Sequence, residues 1–314
     1  METRIVRLSF LGPVHFGRGR LSDSSYACDA ATLFSALYIE ALHAGVQEQL
    51  LDAARCGELA LSDAFPYIGG TLYLPKPMVA PDTYSRLNEE RMAREGRADS
   101  RERKANKKLA YVPATRYGDY LAGTFEALDE LGRFGLGESH LQAKVSLTGA
   151  DGRLSVPYFV GGFSFAAGAG LYFVARGTYD LTPLLEQLSY AGLGGKRTSG
   201  YGRFSFDLVS TDPLAQANPH GQRLGASILL SSAAPRPDEL TDGLLEGARY
   251  QLVRKGGFVQ SATHSATPQK KRDLYLFAAG SVFRRTFAGD VFDVNATPGG
   301  HPVYRYAKAL WMEA

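Results

Sequence analysis

The order of predicted elements makes this 314-residue chain an α+β protein. Three observations carry that class. Period-two alternation marks strands at both ends of residues 1–211, helical apolar stripes lie between them, and a joint rich in Pro, Gly and Asn from Asp212 to Gly225 precedes a stretch that reads mostly as strand.

The elements follow in order. Arg4 to Phe10 alternates and places Val6, Leu8 and Phe10 on one face, so it opens the fold as a strand. A loop from Gly12 to Arg20 holds Arg18 and Arg20 next to Gly17 and Gly19. Asp29 then caps a helix whose stripe is Leu33, Leu37 and Ala41 with Phe34, Tyr38 and Leu42. A second helical stretch covers about Val46 to Arg55, and Thr71 to Leu74 is a short strand stopped by Pro75-Lys76-Pro77. Tyr111-Val112-Pro113 and Tyr120-Leu121 return the chain to the fold. Gln142 to Leu147 and Arg153 to Phe159 read as a hairpin around an Asp-Gly turn. Leu171 to Arg176 is a strand. Thr182 caps a short helix with Pro183 at its first position, and Arg203 to Val209 alternates as a strand. Strand, helix, strands, helix, strand is a ferredoxin-like order. Beyond the joint, strands are predicted at 227–231, 250–254, 274–277, 290–294 and 303–306. The organisation is therefore a domain over 1–211 and a mostly β domain over 212–314.

Composition narrows the function classes. A hydrophobic share of 45% is globular rather than disordered, and no run of 18 apolar residues predicts a membrane helix. The start of the chain lacks the apolar core of a signal peptide, and two cysteines without metal spacing suit a reducing compartment, so a cytoplasmic protein is expected. The net charge of +3 hides an asymmetry: residues 86–108 hold nine Lys/Arg against five acids. This insertion, about 86–110, has almost no apolar residue and is expected to stay on the surface, either as a solvated arm or as a cationic arm near nucleic acid.

The chemistry concentrates in one loop, 192–202, between the last helix and last strand of the first domain. Gly192, Gly194, Gly195, Gly200 and Gly202 alternate there with Lys196, Arg197, Thr198, Ser199 and Tyr201, and Arg203 follows. Glycine lets backbone N–H groups meet a ligand, and Lys, Arg, Ser and Thr hold phosphate oxygens. The nucleoside-triphosphate loop is excluded, because Arg197 stands where its hydroxyl residue belongs; Arg197 also occupies the last glycine of a dinucleotide fingerprint. A second cationic run, Arg254-Lys255-Gly256-Gly257-Phe258, lies in the β domain. Candidate contacts to a polyanion, RNA among them, are Arg18, Arg20, Gly194, Gly195, Lys196, Arg197, Thr198, Ser199, Gly200, Tyr201, Arg203, Arg254, Lys255, Gly256 and Phe258. The loop cations are expected to be exposed and to add little to stability. Tyr201 and Phe258 are aromatics that either stack on bases or pack in the core.

Several segments together resemble one family. The glycine-rich loop stands where the RAMP proteins of CRISPR systems carry theirs. The segments 29–37, 72–77, 194–202, 254–259, 280–283 and 301–306, in that order, resemble the fourth Csm subunit of type III-A effector complexes. That resemblance implies two tandem ferredoxin-like (RRM-like) domains, a β-hairpin thumb folding over RNA, and a non-enzymatic role. It implies capture of the 5′ handle of the CRISPR RNA (crRNA), a bridge between the large polymerase-like subunit and a backbone RAMP subunit, and indirect contact with target RNA. Where such subunits carry an Asn/Arg-rich strand before the hairpin, this chain reads His140-Leu141-Gln142-Ala143-Lys144-Val145.

Two enzymatic alternatives stand beside that reading. A metal-independent crRNA-processing endoribonuclease of the same superfamily needs a general base and a partner cation, roles open to His15 and Lys196. A backbone subunit that cuts target RNA with Mg²⁺ needs a loop aspartate; Asp23 is the candidate, since Asp29 reads as a helix cap. No His or Cys spacing indicates a metal site, and no cofactor is expected.

Overall fold

The computed structural model describes residues 2–17, 19–78, 99–145, 157–217, 225–259, 267, 269–296 and 300–313. Its first half runs β1 (Thr3–Phe10), β2 (Phe16–Gly17), β3 (Ser24–Ser25), α1 (Ala30–Ala44), α2 (Gln47–Cys56), β4 (Leu59–Leu61), β5 (Phe65–Ile68) and β6 (Thr71–Pro75). It continues with α3 (Asp99–Lys108), β7 (Tyr111–Pro113), α4 (Tyr117–Leu121), α5 (Ala127–Arg133), β8 (Gly137–Val145), β9 (Pro157–Phe165), β10 (Ala169–Gly177), α6 (Thr182–Ala191) and β11 (Phe204–Val209). The remainder holds α7 (Pro213–Ala217), β12 (Ser227–Leu229), β13 (Leu252–Lys255), β14 (Leu274–Phe277), β15 (Val282–Phe283), β16 (Val291–Asp293), β17 (Tyr304–Tyr306) and β18 (Trp311–Glu313).

The main sheet has the order β11-β1-β10-β5-β6-β7, with β4 also on β10, and every pairing is antiparallel. Its two faces are both covered, and strand periodicity decides which residue goes where. Val6 and Leu8 of β1 with Leu171 and Phe173 of β10 pack on one face against Leu33, Phe34 and Leu37 of α1 and Leu184, Leu185 and Leu188 of α6. Ile5, Tyr172 and Val174 take the other face, with Tyr117 and Tyr120 of α4 and with Ile228, Leu230, Leu310 and Met312 from the second half. Because β10 is covered on both sides, its sequence is a continuous apolar run rather than an alternating one.

Helix termini follow the chemistry of their caps. Asp29 caps α1 as expected: its Oδ1 accepts the Thr32 N–H at 2.7 Å, and Gly45 closes the helix in the left-handed region. The cap of α6 is Leu181 rather than Thr182, and Asp180 accepts the Thr182 N–H at 3.0 Å. Pro183 keeps its place in the first turn.

Three expectations change. The hairpin strands sit nearer the body than 142–147 and 153–159: β8 and β9 pair from Gly137↔Phe165 to Val145↔Pro157, and the Asp-Gly turn lies outside the described residues. The charged insertion does not stay wholly off the fold. Its end forms α3, where Ala105, with Leu109 just past the helix, is buried in a core cluster and Glu102 receives the Ala127 and Leu128 N–H groups of α5. One Ala and one Leu at i, i+4 suffice to seat a helix that is otherwise charged. The joint contains a short helix, α7, with Pro213 and Ala217 buried.

The second half forms a three-stranded sheet, β15-β12-β18, and separate pairs β13-β14 and β16-β17. Beyond α7 it has one short 3-10 turn, Pro237–Glu239, and no further α-helix among its described residues. Strands β15 and β18, which the sequence pattern did not mark, are two and three residues long. An aromatic cluster of Phe277, Phe283, Phe287 and Trp311 supplies its own core, with ring centroids 5.0–5.8 Å apart. Among the described residues, no helix is long and apolar enough to cross a membrane.

Candidate nucleic-acid interface

The loop between α6 and β11 is held from beneath by the strand-to-strand segment 11–16. Gly195 N–H donates to His15 O at 2.8 Å, Gly202 N–H to Pro13 O at 2.9 Å, and Leu11 N–H to Arg203 O at 2.9 Å. The fit requires glycine. A Cβ on Gly194 would stand 2.9 Å from His15 O, and one on Gly195 would stand 2.7 Å from the His15 ring. Lys196 takes φ 59°, the single positive φ of a non-glycine among the described residues. A 3-10 turn, Arg197–Ser199, follows and turns Thr198, Ser199 and Gly200 outward into solvent. Backbone strain at a long cation, beside exposed hydroxyls, is what a loop shaped for a ligand shows.

The sequence candidates part company here. Lys196 lays its Nζ 5.6 Å from the centre of the Tyr158 ring on β9. Arg197 is not a free loop cation: its Nη1 lies 3.4 Å from Oε1 of Glu40, a carboxylate buried in α1 and also met by His43 Nδ1 at 3.2 Å. Tyr201 is buried at 4% exposure, its hydroxyl donating to Gln142 Oε1 at 3.0 Å, so its ring packs rather than waits for a base. Arg203 and Arg20 are exposed, and Arg18 lies outside the described residues.

The hairpin supplies residues that sequence reasoning missed. Strand β8 is exposed along most of its length, and its Gln142 and Lys144 face the loop, with Lys144 Nζ 5.5 Å from the Tyr201 ring. Pro13, Gln142, Lys144, Ser199 and Gly200 border a cleft of about 460 Å³ between hairpin and loop. The period-two pattern of 140–145 was the available signal: His140, Gln142 and Lys144 share one face.

The 254–258 run lies elsewhere. Lys255 forms an ion pair with Asp29 at the start of α1, while Arg197 meets Glu40 near its end. Eleven residues of helix put these contacts about 16 Å apart. Burial pushes the Asp29 carboxyl upward, but Lys255 and Thr32 prevail and hold it below its ordinary value. Lys255 is correspondingly raised: burial lowers it, and Asp29 more than offsets that. Arg254 is exposed, 3.7 Å from Asp273, and Phe258 is 61% exposed, outside any core.

The residues named for catalysis have other work. His15 is buried under the loop, and because a carbonyl only accepts, its Nδ1 donates to Gly161 O at 2.7 Å. Asp29 is a cap and ion-pair partner, and Asp23 is an exposed turn residue whose N–H meets Arg20 O. No group of three or more His, Cys, Asp or Glu among the described residues is placed to hold a metal ion.

The chain is similar to known proteins along its whole length. Residues 223–314 match the family described as the CRISPR Csm4 C-terminal domain. A relative from Streptococcus thermophilus, named CRISPR system Cms protein Csm4, is 33% identical over 301 residues, 95% of each chain. Solved structures share the fold: a Csm3–Csm4 subcomplex of the type III-A CRISPR–Cas interference complex aligns at TM-score 0.63 and 18% identity over 99% of both chains. A Csm1–Csm4 cassette with AMPPNP aligns at TM-score 0.61 and 20% identity over 99% of this chain and 98% of that one. The protein of the same name from Mycobacterium tuberculosis (strain CDC 1551 / Oshkosh) is 37% identical over 316 residues, covering 99% of this chain and 98% of its own. On that whole-length identity, the chain belongs to the Csm4 family.

Proposed function

We propose that the chain is the Csm4 subunit of a type III-A CRISPR effector complex, that it grips the 5′ handle of the crRNA, and that it does so without catalysing a reaction. Its partners on this reading are the large polymerase-like subunit and a backbone RAMP subunit; relatives of similar fold occur with Csm1 and with Csm3. The first half serves as a ferredoxin-like domain, residues 1–211, with β8–β9 as its thumb, and 212–314 as a degenerate, mostly β companion working in the cytoplasm.

The observation that carries the reading is the seated loop. Its glycines fix the backbone on His15, and its exposed Ser199 and Gly200 border a cleft closed on the far side by Gln142 and Lys144. A cleft with hydroxyls, backbone groups and single cations suits a single strand followed along its phosphates. With so few cations, the chain alone binds weakly, on the order of 10⁻⁴ to 10⁻⁶ M at physiological salt. A partner that covers the same strand raises the joint affinity through effective concentration. The test measures handle-RNA affinity for the chain alone and for the co-purified pair with the large subunit. The pair is expected to bind at least tenfold more tightly; equal affinities, or failure to co-purify, would refute the assignment.

A further inference from the structure

The β8–β9 hairpin is fastened to the body at its root and clasped to the glycine-rich loop further out. At the root, Gly161 N–H donates to Leu21 O at 3.0 Å and His15 Nδ1 donates to Gly161 O at 2.7 Å. Val14 and Phe163 exchange backbone bonds of 2.8 and 3.0 Å. Burial ends at Val160: Pro157 and Phe159 of β9, and Leu141, Gln142, Ala143 and Val145 of β8, are exposed. Beyond Val160, among the described residues, no backbone hydrogen bond ties this arm to anything but its own partner strand. Three side-chain contacts reach the loop instead. The Tyr201 hydroxyl donates to Gln142, Lys144 Nζ lies over the Tyr201 ring, and Lys196 Nζ lies over the Tyr158 ring. Lys144 and Tyr158 are direct cross-strand partners, so they share the hairpin face that meets the loop. The clasp is therefore reciprocal, each element giving one lysine and one tyrosine ring to the other. A ring holds an ammonium only through its quadrupole, whereas a phosphate oxygen offers a charge-assisted hydrogen bond. A two-stranded arm has little stability of its own, so contacts this weak decide where it rests.

We propose that this Lys–Tyr clasp is an autoinhibitory contact. In the RNA-free protein it holds the arm against the loop at the cleft of about 460 Å³, with Lys144 and Lys196 engaged on the rings of Tyr201 and Tyr158. An entering strand opens it by drawing both amines from the rings onto its phosphates. That the opener is RNA rests on the reading given above, whereas the clasp itself rests on these contacts alone. Only the open form accepts the strand, so the apparent affinity is the intrinsic one reduced by the fraction of open molecules. Removing the clasp while keeping both lysines therefore tightens binding. Loss of a ring on which a base stacks has the opposite sign.

The test compares the full wild-type chain with Tyr158→Leu and with Tyr158→Leu combined with Tyr201→Phe. The double variant removes the ring under Lys196 and the hydroxyl that holds Gln142, and keeps Lys144, Lys196 and the loop glycines. Melting temperature checks its fold, and the single variant decides where that temperature collapses. Arm position is read by pulsed electron paramagnetic resonance between spin labels at Ala143→Cys and Tyr190→Cys, both exposed positions, in a Cys56→Ser background; Cys28 is buried. The expected distance distribution is narrow in RNA-free wild type and longer or broader in the variants. Single-stranded handle RNA is expected to move the wild type in the same direction. Unlabelled variants are expected to bind that RNA several-fold more tightly, through faster association. Equal distributions in all three proteins, or a wild-type distribution that bound RNA leaves unchanged, overturn the clasp and leave the loop reading standing. Weaker RNA binding by the variants makes the rings part of the RNA surface and overturns the inhibitory role. Absence of RNA binding in all three proteins overturns the RNA reading and this role with it, even where the distances differ.

Discussion

Arg197 and Lys196 are neighbours with opposite duties. Arg197 neutralises Glu40, a carboxylate at 6% side-chain exposure, so its loss leaves a buried charge. Arg197→Ala is expected to destabilise the fold by about 1–3 kcal/mol, read as a lower denaturant midpoint. Lys196 instead holds a left-handed backbone that suits glycine better. Lys196→Gly is expected to leave the midpoint unchanged or raise it by about 1 kcal/mol while weakening RNA binding. Equal stability of the Arg197→Ala variant and wild type would show that the Glu40 pair does not hold the loop. The expectation that all the loop cations lie free failed at Arg197 for a reason no local pattern shows: Glu40 is 157 residues away and meets the loop only through the packing of α1. Asp63 was illegible for the same reason, since its partners Ala30 and Ser232 are distant in sequence. The glycines of 192–202 were legible because close backbone approach needs them whatever lies opposite.

Strand alternation made β1 and β11 readable, since each presents one face to α1 and α6 and the other to the second half. The same logic weakens in the second half. Strands of two to four residues give too few alternations to read, and the aromatic cluster that unites them is drawn from separate segments. The surface reading of insertion 86–110 holds only in part, because Ala105 and Leu109 among its described residues are buried in a core cluster. Asn106 adds contacts with Lys76 and Tyr120, and Glu102 reaches α5. The first residues of α5 have no side-chain cap of their own, and Glu102 of α3 supplies it from outside, accepting the Leu128 N–H at 3.2 Å. Glu102→Ala is therefore expected to cost about 1 kcal/mol, as loss of a helix cap does. Arg101→Ala, on an exposed side chain of the same helix, is expected to change stability by less than about 0.5 kcal/mol. Matching midpoints for the two variants would mean that α3 is not docked through this contact.

The two halves are joined by a small set of buried polar groups. Asp63 receives the Ala30 N–H at 2.8 Å, the Ser232 N–H at 2.8 Å and the Ser232 hydroxyl at 2.7 Å, and Lys255 reaches Asp29 beside it. Burial, then the Asp29 charge, push the Asp63 carboxyl from 3.8 up to about 6. The folded state therefore keeps this proton to higher pH than the unfolded chain does. Its stabilising contribution is complete below about pH 4 and is lost as pH rises to about 6. Asp29 runs the other way, its contribution present above its ordinary value and lost below it. Asp63→Asn is expected to gain stability relative to wild type between pH 5 and pH 7, measured as the difference in melting temperature at the two values. A difference independent of pH would show that Asp63 is ionised throughout. Beyond that joint, the central claim concerns what the whole molecule holds. The direct measurement is to co-express the chain with its neighbouring CRISPR proteins, purify the assembly and sequence the RNA that comes with it. The account predicts RNA sharing one uniform 5′ end derived from the repeat, lost in the Lys196→Gly variant; RNA of random 5′ ends, or none, would contradict it.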